Sequence, residues 1–186
     1  MNMKRAPEKP SAIADDRAAW QLIGAVVPPL KLESTAGRTN LADLAANLLI
    51  LFVYPHATGL PDAPVSDWDV IPGARGCTAQ ACGFRDHHDR LRKLGAEVAG
   101  LSVQTVEEQL AFAARVALPY RLISDPTLQL AAALGVPTFT ADGRTFYRRL
   151  TLVGSGGRVI KVFSPVPEPE ANAEEVAAWL EAGYGR

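Results

Sequence analysis

Apolar positions along the chain fall into continuous runs and helix-spaced runs. Asn47–Pro55, NLLILFVYP, is apolar throughout and closed by proline. It is too short for a surface helix and predicts a strand buried on both faces, as in the middle of a parallel sheet. EVAGLSVQ (97–104) predicts a second such strand and YRLISD (120–125) a third, shorter one. In CTAQACGFRDHHDRLRKLGA (77–96), Phe84, His88, Leu91 and Leu94 recur at helical spacing until Gly95, which predicts one continuous helix. TVEEQLAFAARVAL (105–118) predicts another, with Thr105 and Glu108 in a capping-box pattern. PTLQLAAALGV (126–136) predicts a helix with Pro126 in its first turn.

Ahead of the first strand, residues 23–44 predict a strand pair about the Thr35–Arg38 turn and a short helix near Leu41–Leu44. RRLTLVGSGGRVIKVF (148–163) predicts a hairpin joined through Gly154–Gly157, and residues 165–183 an extended proline segment and a last helix that Asn172 caps. Strands alternating with helices, then a hairpin and a helix, predict an α/β fold with a central mixed sheet flanked by helices. Residues 1–20 read as a loose polar arm and residues 21–186 as one domain.

The formal net charge is −1, so no electrostatic footprint for nucleic acid or an anionic membrane is present. No apolar run approaches the roughly 20 residues that span a bilayer, and the first residues do not read as a secretory signal. A cytoplasmic location is the expectation, and in that compartment neighbouring cysteines are more often catalytic or metal-binding than structural.

Both cysteines of the chain, Cys77 and Cys82, sit just past HATGLPDAPVSDWDVIPGARG (56–76), a loop too long and irregular to be a plain connection. Cys77 is placed at a helix N-terminus, where unpaired N–H groups and the helix dipole favour an anion. Arg75 is expected to add positive field. In an intact helix the two Cα atoms lie about 8–9 Å apart, beyond disulfide range, so bonding requires the first turn to unwind between Gly76 and Gly83. A buried structural pair is the bland alternative. Zinc fits less well, because no second cysteine pair exists and the adjacent His87 and His88 point in different directions, His88 to the apolar face and His87 to the wet one.

GCTAQACGFRD (76–86) resembles the opening of the active-site helix of the peroxiredoxins, in their Q-type, bacterioferritin-comigratory branch. The resemblance continues through LGAEVAGLSVQ, LPYRLISDPTLQLAAALGV and RRLTLVGSGGRVIKVF, and covers most of residues 23–163 in order. It implies a thioredoxin-like fold with an N-terminal β-hairpin extension. It also implies a thiol-dependent peroxidase for hydrogen peroxide and alkyl hydroperoxides. By the match, Cys77 is the peroxidatic cysteine and Cys82 the resolving one, joined in an intramolecular disulfide. Arg149, at the R-x-T position before Thr151, holds the thiolate and contacts the peroxide. Pro55, Gly76 and Thr78 fall at substrate-binding positions. No metal, flavin or haem cofactor is implied. The implied partners are a peroxide and thioredoxin or a similar thiol reductant, with the chain a monomer or weak homodimer.

Two departures from the pattern stand out. Ala74 occupies the place of the threonine three residues before the cysteine, so Thr58, just beyond Pro55, or alternatively Ser66, has to supply that hydroxyl. Gln80 stands in place of a glutamate. Trp68 and Pro72 wall the site in this reading, unless Trp68 only pins the loop. Strand alternation puts Arg149, Thr151 and Val153 on one face and Arg148, Leu150 and Leu152 on the other, which makes Arg148 a solvated charge or a tip of the sheet edge. GVPTF (135–139), despite its similarity to a thioredoxin Val-Pro-Thr element, reads as loop. Two competing readings are a disulfide reductase or redox sensor acting on a protein partner, and a metal carrier using the cysteines with one of His56, His87 and His88.

Overall fold

A computed structural model of the chain describes residues 18–57 and 68–183. Its strands are β1 (Lys31–Ser34), β2 (Thr39–Asn40), β3 (Leu48–Val53), β4 (Ala96–Ser102), β5 (Arg121–Ser124), β6 (Thr138–Ala141), β7 (Arg144–Tyr147), β8 (Leu150–Ser155) and β9 (Arg158–Phe163). Its helices are α1 (Leu41–Ala45), α2 (Cys77–Asp86), α3 (His88–Lys93), α4 (Val106–Arg115), α5 (Gln129–Leu134) and α6 (Asn172–Glu181).

Among the described residues seven strands form one mixed sheet in the order β2-β1-β5-β4-β3-β8-β9. The apolar runs β3, β4 and β5 pair in parallel at its centre, where both faces are covered. β3 then pairs antiparallel with β8, and β1 antiparallel with β5. In β3 the side chains alternate between layers. Leu48, Ile50 and Phe52 pack with Phe84, Leu91, Phe112 and Val176 on one face, and Leu49, Leu51 and Val53 with Leu41, Ile123, Leu130 and Leu152 on the other. Gly100, beside Phe52 in the ladder, leaves room for that ring: a Cβ there would stand 2.7 Å from Phe52 and from Leu122.

The strand pair, the short helix after it, the buried strands and the terminal hairpin lie where the pattern puts them. Five local expectations do not hold. The helix from Cys77 is not continuous: it breaks at His87 (φ −96, ψ 1), whose Nδ1 lies 2.9 Å from the Gly83 carbonyl and whose Nε2 lies 2.9 Å from Glu174. His87 is therefore clamped between α2 and α6 instead of facing water, while His88 lies beside the Tyr120 ring. Pro126 lies outside α5, which starts at Gln129 because the buried Asp125 carboxylate accepts from the Gln129 and Leu130 amides. GVPTF is not all loop, since Thr138 and Phe139 pair with Tyr147 and Phe146 in a separate hairpin. Asn172 does not cap α6. It is the first residue of that helix, buried, with its side chain turned into the core.

Residues 1–17 of the expected arm lie outside the described residues. Residues 18–20 form a helical turn with Ala19 fully buried, so this part of the expected arm is held against the sheet. Among the described residues no helix is long and apolar enough to cross a membrane.

Candidate active site

Gly76 precedes α2 in the left-handed conformation (φ 93), which turns the chain so that Cys77 opens the helix. Its missing side chain is also a packing requirement. A Cβ at Gly76 would stand 2.6 Å from Pro169, and one at Gly83 would stand 2.8 Å from the Glu170 carbonyl oxygen. These glycines, expected to loosen the helix end, instead let α2 lie tightly against the 3₁₀ turn Pro169–Ala171.

Cys77 is 3% exposed and Cys82 half-buried, and both are free thiols. Both lie in one unbroken helix, so they cannot bond while its first turn stands. The second half of that helix is tied down elsewhere: the Tyr120 hydroxyl donates to the Ala81 carbonyl at 2.6 Å, and Arg85 donates to the Val116 carbonyl at 2.9 Å.

The buried Arg149 faces Cys77 from the position just before β8. Its Nη2 donates to Cys77 Sγ at 3.0 Å and to the Arg75 carbonyl at 2.7 Å, with the Ala74 carbonyl at 3.4 Å. Its Nη1 donates to Gln80 Oε1 at 2.5 Å. Its Nε is buried and has no hydrogen-bond partner among the described residues. Thr151 and Val153 share this face and Leu150 and Leu152 the other, as the alternation requires. Arg148 is not a solvated charge, because it is half-buried over the Phe139 ring at 5.7 Å. The Arg75 side chain points to Asp69 at 3.3 Å in solvent, so it is the Arg75 carbonyl that serves the site.

Behind Arg149 lies a network that sequence reasoning missed. Gln80 Nε2 donates to Asn172 Oδ1 at 3.0 Å, and the Thr151 hydroxyl donates to the same oxygen at 2.7 Å. The signals for Gln80 are its place three residues into the cysteine helix and its standing where the resemblance has a glutamate. Asn172 carried none, because its local preference is to cap.

Pro55 is buried at the end of β3, and Thr78 is half-buried in the first turn of α2. Thr58 and Ser66 lie outside the described residues. Ala74 is fully buried and offers its carbonyl 3.5 Å from the sulfur. A groove of about 520 Å³ opens beside Gly76 and Arg149, lined by Ile71, Pro72, Phe139, Val166 and Pro169. Pro72 walls it as expected. Trp68 is buried against Phe146, with ring centroids 5.1 Å apart, and pins the loop instead. His56 packs against Trp68 and Phe146, and burial pushes its imidazole below the ordinary histidine range. Among the described residues no group of three or more His, Cys, Asp and Glu is placed to hold a metal ion.

The model of the AhpC/TSA family matches residues 70–162, which spans the cysteine helix, the central strands β4 and β5, and Arg149 with the strand after it. Peroxiredoxin Q of Sedum lineare, described as chloroplastic, is 31% identical over 163 residues, 86% of this chain and 77% of that protein. The chain is a Q-type peroxiredoxin of the AhpC/TSA family. Peroxiredoxin Bcp of Escherichia coli is 30% identical over 145 residues, 75% of this chain and 83% of its own. The crystal structure of the peroxidoxin BcpB from Mycobacterium tuberculosis superposes with a TM-score of 0.70 at 28% identity, covering 86% of this chain and 96% of that one. The fold is the thioredoxin-like fold of these peroxiredoxins, and the activity is that of a thiol-dependent peroxidase. Family membership decides among the three functional readings of the sequence in favour of the enzyme.

Proposed function

We propose that this peroxiredoxin reduces hydrogen peroxide and alkyl hydroperoxides at Cys77 and closes the cycle through Cys82. The observation that carries this reading is the Arg149 guanidinium 3.0 Å from Cys77 Sγ, at the start of a helix. A cation at that distance and the helix N-terminus both face the atom that attacks, where they offset the charge that the reaction moves from sulfur to oxygen. The thiolate attacks one peroxide oxygen, the O–O bond breaks, and the other oxygen leaves as hydroxide or alkoxide and takes up a proton. Sulfur, oxidised by two electrons, becomes a sulfenic acid. The planar fork of Arg149 suits the leaving oxyanion. Thr58, following Pro55, supplies the hydroxyl that orients the peroxide in place of Ala74, while Gly76 and Thr78 frame the approach. The groove beside Arg149 is of a size that admits organic hydroperoxides.

In the second step the Cys82 thiol attacks the sulfenic sulfur and water leaves, once the first turn of α2 has unwound. An external dithiol such as thioredoxin then reduces the disulfide by exchange. A reducing compartment such as the cytoplasm suits that cycle, although relatives in plants carry the word chloroplastic in their names. Trp179 packs on Phe163 of its own sheet, with ring centroids 6.2 Å apart, which favours a monomer over a helix-covered dimer.

One equivalent of hydrogen peroxide added to the reduced protein is expected to remove both thiols together and give an intramolecular disulfide, read by thiol titration and intact mass. Loss of one thiol only, or formation of a disulfide-linked dimer, would contradict the assignment of Cys82.

A further inference from the structure

We propose that Asn172, the first residue of the C-terminal helix, is a positioning residue for peroxide reduction: through Gln80 it aims the Arg149 guanidinium at Cys77. The inference rests on the reading of Cys77 as the reacting sulfur.

The chain of contacts is closed and directional. Arg149 has only donors, so its bond to Gln80 fixes Oε1 as the acceptor and turns the Gln80 amide nitrogen away from it. That nitrogen must then meet an acceptor, and the Asn172 Oδ1 supplies it at 3.0 Å. Because an amide nitrogen only donates, Gln80 fixes the oxygen of the Asn172 amide toward itself, and the Thr151 hydroxyl, 3.5 Å from the same Gln80 nitrogen, donates to that oxygen as well. Gln80 and Thr151 are both fully buried and Asn172 is 1% exposed, so no solvent can take the place of a lost partner.

A feature that favours function over plain packing is the Asn172 Nδ2, which is buried with no hydrogen-bond partner among the described residues. A buried amide that leaves its donor unpaired is a net cost to the fold, so the value of the residue lies in its oxygen. Position points the same way. Asn172 follows the 3₁₀ turn on which Gly76 and Gly83 pack, so the element that holds the back of α2 also holds the orientation of Gln80. Removing the oxygen leaves Gln80 free to turn, and Arg149 loses the partner of its Nη1 while its charge remains.

Stopped-flow oxidation of the full, reduced protein by hydrogen peroxide tests this. In Asn172→Leu the second-order rate is expected to fall about 10- to 100-fold, the scale of one lost hydrogen bond to a charged group. Asn172→Ser, which is smaller and does not crowd the core, is expected to show the same loss should the leucine variant not fold. Asn172→Asp keeps an acceptor facing both donors and is expected to recover most of the rate. A merely structural asparagine would not give that recovery pattern at temperatures well below each variant's melting transition. A folded Asn172→Leu or Asn172→Ser as fast as wild type would overturn the proposal, as would an aspartate variant as slow as the leucine one. Cys77→Ser runs in parallel: were it to react as fast as wild type, the assignment of the sulfur itself would fall, and the Asn172 link with it.

Discussion

Cys77→Ser is expected to consume no hydrogen peroxide above the protein-free rate while melting close to wild type. A serine hydroxyl does not ionise at neutral pH and cannot become a sulfenic acid, so the chemical step is removed and not merely slowed. The fold should tolerate the change. Serine is nearly the size of cysteine, and the position is the first of a helix, where a hydroxyl finds unpaired backbone amides. The Arg149 guanidinium still has Gln80 Oε1 and the Arg75 carbonyl to donate to. Peroxide consumption with dithiothreitol as the reductant, beside a circular dichroism melt, separates loss of chemistry from loss of structure. Residual turnover in the serine variant near the wild-type level would mean that Cys82 or another group is the nucleophile.

The second large effect belongs to the cation. Arg149→Met, which roughly keeps the length of the side chain, is expected to lower the second-order rate with hydrogen peroxide by about 10²- to 10³-fold, the scale of removing one preorganised donor from an oxyanion site. Two functions are lost at once: the charge beside the sulfur and the donors for the departing oxygen. Arg149→Lys restores the charge as a single point but cannot donate together to Cys77, Gln80 and the Arg75 carbonyl, so an intermediate rate is expected. Stopped-flow tryptophan fluorescence reads all three proteins, and Thr58→Val can be measured in the same series. A methionine variant within a few-fold of wild type would show that the guanidinium is structural.

Much of this site is legible in the chain because its parts are local. An apolar run closed by proline gives β3, and a glycine before the cysteine gives the start of α2. Period-two alternation in RLTLV is enough to put Arg149 and Thr151 on the face that α2 covers. What the sequence does not disclose depends on distant partners. His87 breaks a helix that its periodicity continues, because the Gly83 carbonyl and a carboxylate on α6 both hold the imidazole. Asp125 moves the start of α5 past Pro126 by offering its carboxylate to two amides and to the Tyr147 hydroxyl, whose ionisation burial and that carboxylate push upward. The local habit of Asn172 is to cap, but tertiary partners claim its oxygen. Gly76 and Gly83 suggest looseness in the sequence, whereas in the fold they allow the closest approach of two segments far apart in the chain.

That close approach bears on the second chemical step. To bring Cys77 to Cys82, the first turn of α2 must release Gln80 from Asn172, the sulfur from Arg149, and Gly76 from Pro169. The second half stays tied through Tyr120 and Arg85. In the proposed cycle unwinding is expected to be confined to one end, with its cost set by contacts with β8 and the C-terminal segment more than by helix propensity.

The most direct measurement is the position of the first oxidised sulfur. Cys82→Ser and Cys77→Ser are each exposed to one equivalent of hydrogen peroxide in the presence of dimedone, and the adduct is mapped by peptide mass spectrometry. The adduct is expected on the Cys77 peptide of the first protein and absent from the second. An adduct on Cys82 in the second protein with none on Cys77 in the first would contradict the account.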